Sequence, residues 1–418
     1  MTIGLIQNAR LLDLGTADEL GPHDVVIEDG RFREVGAPGS WKGTADWTLD
    51  ASGQWIIPGL IDLHVHATAT SLHLADSANL PSSWVAMDSV RRLEGMLLRG
   101  FTTVRDAGGA DWGLAQAVSD GLVRGPRLFV SGRALSQTAG HGDFRGRLAD
   151  VPPGGECSLH RGLGSIARVA DGVEAVRQAA RDELRRGAVQ LKLMVSGGAA
   201  SPIDPLETVQ YSEDEIRAAV EVAESWNTYV MGHAYTARSI ERAVRCGVKS
   251  IEHASFVTAE VAEQMREAGA VGVPTLATFE ALATYGGRLG FSPAGLEKVG
   301  QIRSAGEQCI ETLKAAGVTI GFGTDLLGDL TQYQCREFLL RREVQSAVEV
   351  VRSATVDAAK VLRMEGQIGE IRAGACADAL LLDQNPLASH DVLAESQRHL
   401  TAVVKDGALV AVHGEPVR

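Results

Sequence analysis

Six side chains of kinds that bind metal ions or move protons stand at the ends of short apolar runs: His64, His66, Lys192, His233, His253 and Asp325. The first two lie in "GLIDLHVHAT", residues 59–68. Strand side chains alternate between faces, so Asp62, His64 and His66 share one face while Ile61, Leu63 and Val65 share the other. Burying an Asp-His-His face is costly unless something satisfies it, and a metal ion does so. Lys192 lies in "AVQLKLMVSGG", where Gln190, Lys192 and Met194 form the inward face. His233 ends "TYVMGH", His253 ends "SIEH", and Asp325 ends "VTIGFGTD", whose Thr319, Gly321 and Gly323 leave room beside it. Taken singly, each has an ordinary reading: a hydrogen-bonded core histidine, a snorkelling lysine, an aspartate capping a helix. Six together at strand ends point to one site.

Such a site needs a scaffold. The 418 residues suffice for one large barrel with an accessory part. Hydrophobic residues make up 45% and charged residues 22%, the balance of a soluble globular chain. A net charge of −13 argues against a nucleic-acid or anionic-membrane binder, which needs clustered Lys and Arg. "MTIGLIQNARLLDLG" lacks the basic and apolar regions of a signal peptide, and no run approaches a membrane span. Cysteines 157, 246, 309, 335 and 376 have no CxxC spacing and read as reduced thiols of a cytoplasmic protein.

Residues 1–57 alternate apolar and polar side chains, with a hairpin signal at Asp29-Gly30. Residues 365–418 do the same, with a second signal at Asp406-Gly407. The two ends are expected to build one small β-sandwich. Between them, residues 58–364 alternate apolar runs with amphipathic helices. Strands are expected at 60–66, 102–106, 127–131, 189–195, 228–233, 250–253, 271–274 and 318–325. Ser212 and Glu215 form a capping box, and Gly247, Gly269 and Gly317 follow helical runs as C-caps. Eight βα units predict an α/β fold, a (β/α)8 TIM barrel, with catalytic groups at the C-terminal strand ends. A doubly wound sheet competes, but no GxGxxG follows the first strand.

"PGLIDLHVH", the inward Lys192 of "KLMVSGG", "GHAY", "IEHAS" and "GTD", in this order, resemble the metal-dependent amidohydrolase superfamily over nearly the whole chain, and "KLMVSGG" also resembles its prolidase-like branch. "LSQTAGHGDFR" and "MGHAYTARSI" are similar to its prolidase-like branch: Xaa-Pro or Xaa-Arg/Lys dipeptidases and ochratoxin A-cleaving amidohydrolases. The resemblance implies two divalent metal ions, usually zinc, bridged by an N6-carboxylated Lys192. His64, His66 and Asp325 would complete one ion's shell, and His233 with His253 the other's. A bridging hydroxide would attack the amide carbonyl, with Asp325 as general base and then acid. The expected substrate is a dipeptide, an N-acyl amino acid or an ochratoxin-like amide, cleaved at the bond to its C-terminal amino acid.

His141, in the loop after the third strand, is expected to hold the substrate carbonyl or carboxylate, and Tyr235, two residues past His233, points to the same mouth; the resemblance implies carboxylate binding for both, and both are catalytic candidates. Arg145 is a further candidate, since arginine pairs bidentately with carboxylates. Leu135–Asp171, carrying Cys157 and His160, reads as a lid. Asp62 is read as a partner of the histidines on its own strand. The resemblance also implies a homo-oligomer. Two other readings stay open: a cyclic amide hydrolase, imidazolonepropionase-like, and a non-catalytic scaffold, which would be expected to lack ligands.

Overall fold

The computed structural model describes residues 2–146, 162–201 and 203–417. The chain forms two compact units: Met1–Asp62 with Glu94–Thr103 and Cys335–Arg418, and Leu63–Leu93 with Val104–Gln334. Among the described residues, no helix is long and apolar enough to cross a membrane.

The strands from the N-terminal end are β1 (Ile3–Leu12), β2 (Glu19–Glu28), β3 (Arg31–Gly36), β4 (Trp47–Asp50) and β5 (Trp55–Pro58). Next come β6 (Leu60–Val65), β7 (Phe101–Asp106), β8 (Arg127–Val130), β9 (Ala134–Ser136), β10 (Ala167–Val169), β11 (Leu191–Met194), β12 (Val230–Thr236), β13 (Ser250–Phe256) and β14 (Val271–Val273). The last are β15 (Ala379–Leu382), β16 (Leu400–Lys405), β17 (Ala408–Val412) and β18 (Glu415–Pro416).

Strands from both ends of the chain join one hydrogen-bonded sheet, in the order β18-β17-β16-β15-β5-β1-β2-β3, with β4 on β1. Hydrogen bonding thereby links nine strands, contributed by both ends of the chain, into one continuous ladder. Its inward side chains, Ile6, Val25, Ile27, Phe32, Ile56, Leu381 and Val404 among them, make one apolar cluster. Alternation along β2 and β3 explains this, because every second residue of a half-buried strand faces the core. Asp29 and Gly30 turn the β2–β3 hairpin with φ of 47° and 80°, the positive angles a two-residue turn of this kind requires.

The second unit carries a six-stranded sheet, β10-β9-β11-β12-β13-β14, whose pairs are all parallel. Helices precede the strands: Val173–Arg185 before β11, Glu213–Ser225 before β12, Ala237–Arg245 before β13 and Ala259–Glu267 before β14. Ser212 and Glu215 close their capping box at the second of these. A three-stranded sheet, β6-β7-β8, completes the ladders. The run 318–325, expected as a strand, makes only an isolated bridge, Ile320 to Gly272. It still hydrogen-bonds on two sides: Gly321 N donates to Gly272 O at 2.9 Å, and Leu63 N donates to Phe322 O at 2.8 Å. Gly321 and Gly323 do not leave open space there. A methyl at Gly321 would strike Leu63, and one at Gly323 would strike Val273. These glycines allow close packing of neighbouring strands.

Candidate active site

Register places the site. Met194 of β11 pairs with His233 of β12, and His233 pairs with Glu252 of β13, so these residues lie at one level of the sheet. Lys192 lies two residues before Met194, on the same face of the strand and opposite Met231. Strict alternation would then turn His253 away from Glu252's face. The backbone prevents this: His253 and Ala254 adopt φ of 72° and 53°, a left-handed conformation uncommon for residues with a Cβ. The His253 ring comes within 4.7 Å of the His233 ring and 5.1 Å of the His64 ring, between centroids. Asp325, with φ of 53°, and Thr275, with φ of 52°, share this unusual backbone. Such conformations persist only where surrounding structure enforces them.

Asp325 is the centre of the cluster. Its Oδ1 is 3.2 Å from His66 Nε2 and 3.4 Å from His64 Nε2, and its Oδ2 is 4.0 Å from His253 Nε2. Ligand atoms of His64, His253 and Asp325 lie within 4.8 Å of one another. The remaining ring nitrogens are tied elsewhere. His66 Nδ1 faces Gly108 O at 2.9 Å, and His233 Nε2 faces Gly197 O at 3.1 Å. A carbonyl only accepts, so those nitrogens carry the proton and the opposite nitrogens keep a lone pair. His64 Nδ1 lies 2.7 Å from Glu252 Oε2, and His253 Nδ1 lies 2.7 Å from Thr275 Oγ1. In their neutral forms His64 and His66 therefore turn lone pairs toward a carboxylate oxygen, an arrangement relieved by a cation between them, whether a proton or a metal ion. The donor set fits a divalent ion of the borderline type that takes imidazole and carboxylate.

Burial and the charges within the cluster set the protonation of these groups. Burial, with neighbouring cationic groups, pushes His233 and His253 well below the usual imidazole range, which suits neutral ligands. Burial lowers His66 too, but Asp325 and Asp106 outweigh it and its net shift is upward. Asp325 lies well below the usual carboxylate range because the surrounding histidines outweigh its burial. Burial pushes Lys192 down to about 8, so a neutral amine is accessible near neutral pH.

His141 stacks on His233, with ring centroids 4.1 Å apart, and Tyr235 lies edge-on to His233 at 4.7 Å. Gly198 lies against the His141 ring, where even one added methyl would clash. The structure thus brings His64, His66, His233, His253, Asp325, His141 and Tyr235 into one cluster, with Lys192 in the electrostatic field of Asp325. Arg145 is committed elsewhere: its Nε and Nη2 form a fork on Asp143, both at 2.6 Å. Cys157 and His160 of the expected lid lie outside the described residues.

Several members escaped the sequence reading. Glu252 supplies the carboxylate at His64 Nδ1. Arg105 is fully buried and pairs with Glu252 at 2.9 Å. Asp106 accepts the backbone N–H groups of Ala67, Gly108 and Ala110, fixing the loops that follow β6 and β7. Ser201 Oγ lies 2.8 Å from His141 Nδ1. The available signal was a charged residue inside an apolar run, as in "TTVRD" and "SIEH".

Residues 55–410 match the model of the amidohydrolase family. Ochratoxinase of Aspergillus niger is 33% identical over 364 residues, covering 85% of this chain and 75% of that protein. A crystal structure of a prolidase complexed with N-methylphosphonate-L-proline superposes with a TM-score of 0.95 at 48% identity, covering 98% of this chain and 100% of the other. A Xaa-Pro dipeptidase with bound methionine in its active site superposes with a TM-score of 0.84 at 27% identity, covering 98% and 99%.

Proposed function

This chain belongs to the amidohydrolase family, and from that premise we propose that it is a binuclear metal-dependent hydrolase releasing the C-terminal amino acid of a dipeptide or N-acyl amino acid. The observation that carries the proposal is the convergence of His64, His66 and His253 Nε2 on the two oxygens of Asp325, above a buried lysine. The prolidase and ochratoxinase relatives support an amide whose amine side is an amino acid. We read the parallel strands and the two-sided bonding of 318–325 as parts of a (β/α)8 barrel between two sandwich-forming ends, residues 1–57 and 365–418.

His64, His66 and Asp325 would hold one ion and His233 with His253 the other, with Lys192 between them. Bound divalent ions, zinc in this reading, polarise an amide carbonyl and acidify water. A neutral Lys192 Nζ would be able to take up CO2 with loss of a proton, and the resulting carbamate would supply oxygen donors for the ions. Asp325 accepts the proton of the attacking water and delivers it to the departing amine nitrogen. His141, stacked on His233, and Tyr235, edge-on to it, orient the carboxylate of the released amino acid. Burial raises the Tyr235 phenol well above its usual range, so it stays protonated and donates.

A panel of Xaa-Pro and Xaa-Arg dipeptides, N-acyl amino acids and ochratoxin A, assayed with zinc and bicarbonate, tests this. Release of the C-terminal amino acid, with about two metal ions per chain, is the expected outcome. Turnover confined to cyclic amides would overturn it in favour of an imidazolonepropionase-like reaction, and a chain without bound metal would favour a scaffold.

A further inference from the structure

The four imidazoles are not held alike. His66 and His233 rest on backbone carbonyls and His253 on a hydroxyl, whereas His64 rests on a carboxylate. That carboxylate is itself braced. Glu252 Oε1 accepts from Arg105 Nη2 at 2.9 Å and from Ser250 Oγ at 2.6 Å, which leaves Oε2 for His64. Arg105 Nε also donates to Leu63 O at 2.7 Å, on the residue before His64, and its Nη1 to the Tyr229 hydroxyl at 3.2 Å. One guanidinium thereby holds both the backbone ahead of His64 and the partner of its ring.

We propose that Arg105 and Ser250 act through Glu252 as positioning residues, fixing His64 as the Nδ1–H tautomer and making it the strongest donor of the four imidazoles. Arg105 and Glu252 are both fully buried. Taking such a pair out of water costs several kcal/mol per ion before mutual attraction repays it. A carbonyl orients a ring equally well, as Gly108 O does for His66, so orientation alone does not require a charge. An anionic acceptor adds electron density at Nε2, the nitrogen that faces Asp325. The inference rests on the metal-site reading above.

Cobalt(II) titration of the full chain tests it by affinity and by visible absorption. In Glu252→Gln, the dissociation constant of one cobalt equivalent should rise by about 10–100-fold, with its absorption band shifted and the other equivalent unchanged. Arg105→Lys should fall between Glu252→Gln and wild type, and Ser250→Ala closest to wild type. Imidazole 15N shifts of zinc-loaded wild-type protein should report His64 protonated at Nδ1, a measurement independent of whether the variants fold. Wild-type cobalt affinity at both equivalents in folded Glu252→Gln, or an Nε2–H tautomer of His64, overturns the positioning role alone. A wild-type chain that takes up no cobalt overturns the metal site and this role together.

Discussion

The interior of the nine-stranded sheet and the ends of the parallel strands are almost equally buried, yet they are filled with opposite kinds of side chain. Around Phe32 in the sheet are Ile6, Val25, Ile27 and Leu381, apolar groups that need no particular partner. At the strand ends His64, His66 and His253 face Asp325, and His233, Lys192, Glu252 and Arg105 are buried with them, groups that are costly to bury without specific partners. Backbone strain is divided in the same way. In the sheet, positive φ appears at hairpin turns such as Asp29 and Asp406, where it is tolerated cheaply. At the strand ends it appears at His253, Ala254, Thr275 and Asp325, inside packed structure. The first region is built to stabilise, and the second draws on stability to hold reactive groups together.

This contrast predicts that variants of the two regions fail in different ways. Asp325→Asn should lower kcat by about 10²–10⁴-fold while leaving the thermal midpoint near wild type or above it. A large loss of stability instead would mean that the cluster is structural. Phe32→Ala should do the reverse, costing about 3–5 kcal/mol in denaturant unfolding with kcat of the folded fraction unchanged. Gly198→Ala tests the boundary between these behaviours. Its methyl would displace His141, so KM for carboxylate-bearing substrates should rise about tenfold, near 1.4 kcal/mol, with little change in midpoint. Unaltered KM would remove His141 from substrate recognition. The smallest effect belongs to Gly30→Ala, where a Cβ at φ of 80° should cost about 1 kcal/mol by urea melt and leave activity intact.

How legible each region was follows from how local its causes are. The Asp29-Gly30 hairpin and the Ser212 capping box are settled within a few residues, and both appear where the pattern placed them. The βα rhythm of the second unit was readable for the same reason, since each strand announces itself by an apolar run and each helix by its period. The segment 318–325 was harder, because a run with glycines at 321 and 323 can lie extended and bond on both sides without forming regular ladders. Glu252 was hidden for a sharper reason. Alternation counted back from His253 turns it away from the site, and only the left-handed kink at His253 puts both residues on the same side.

From its sequence alone, the chain determined which residues could do chemistry and at which strand ends they stand, because alternation and apolar runs are local properties. Tertiary structure alone decided their partners. Glu252 and His64 are 188 residues apart, Arg105 and Glu252 147, and Ser201 and His141 60. Tertiary structure also committed Arg145 to Asp143. A hydrogen bond depends on tenths of an ångström and on which way a ring is turned, and those quantities are set by packing around the whole cluster.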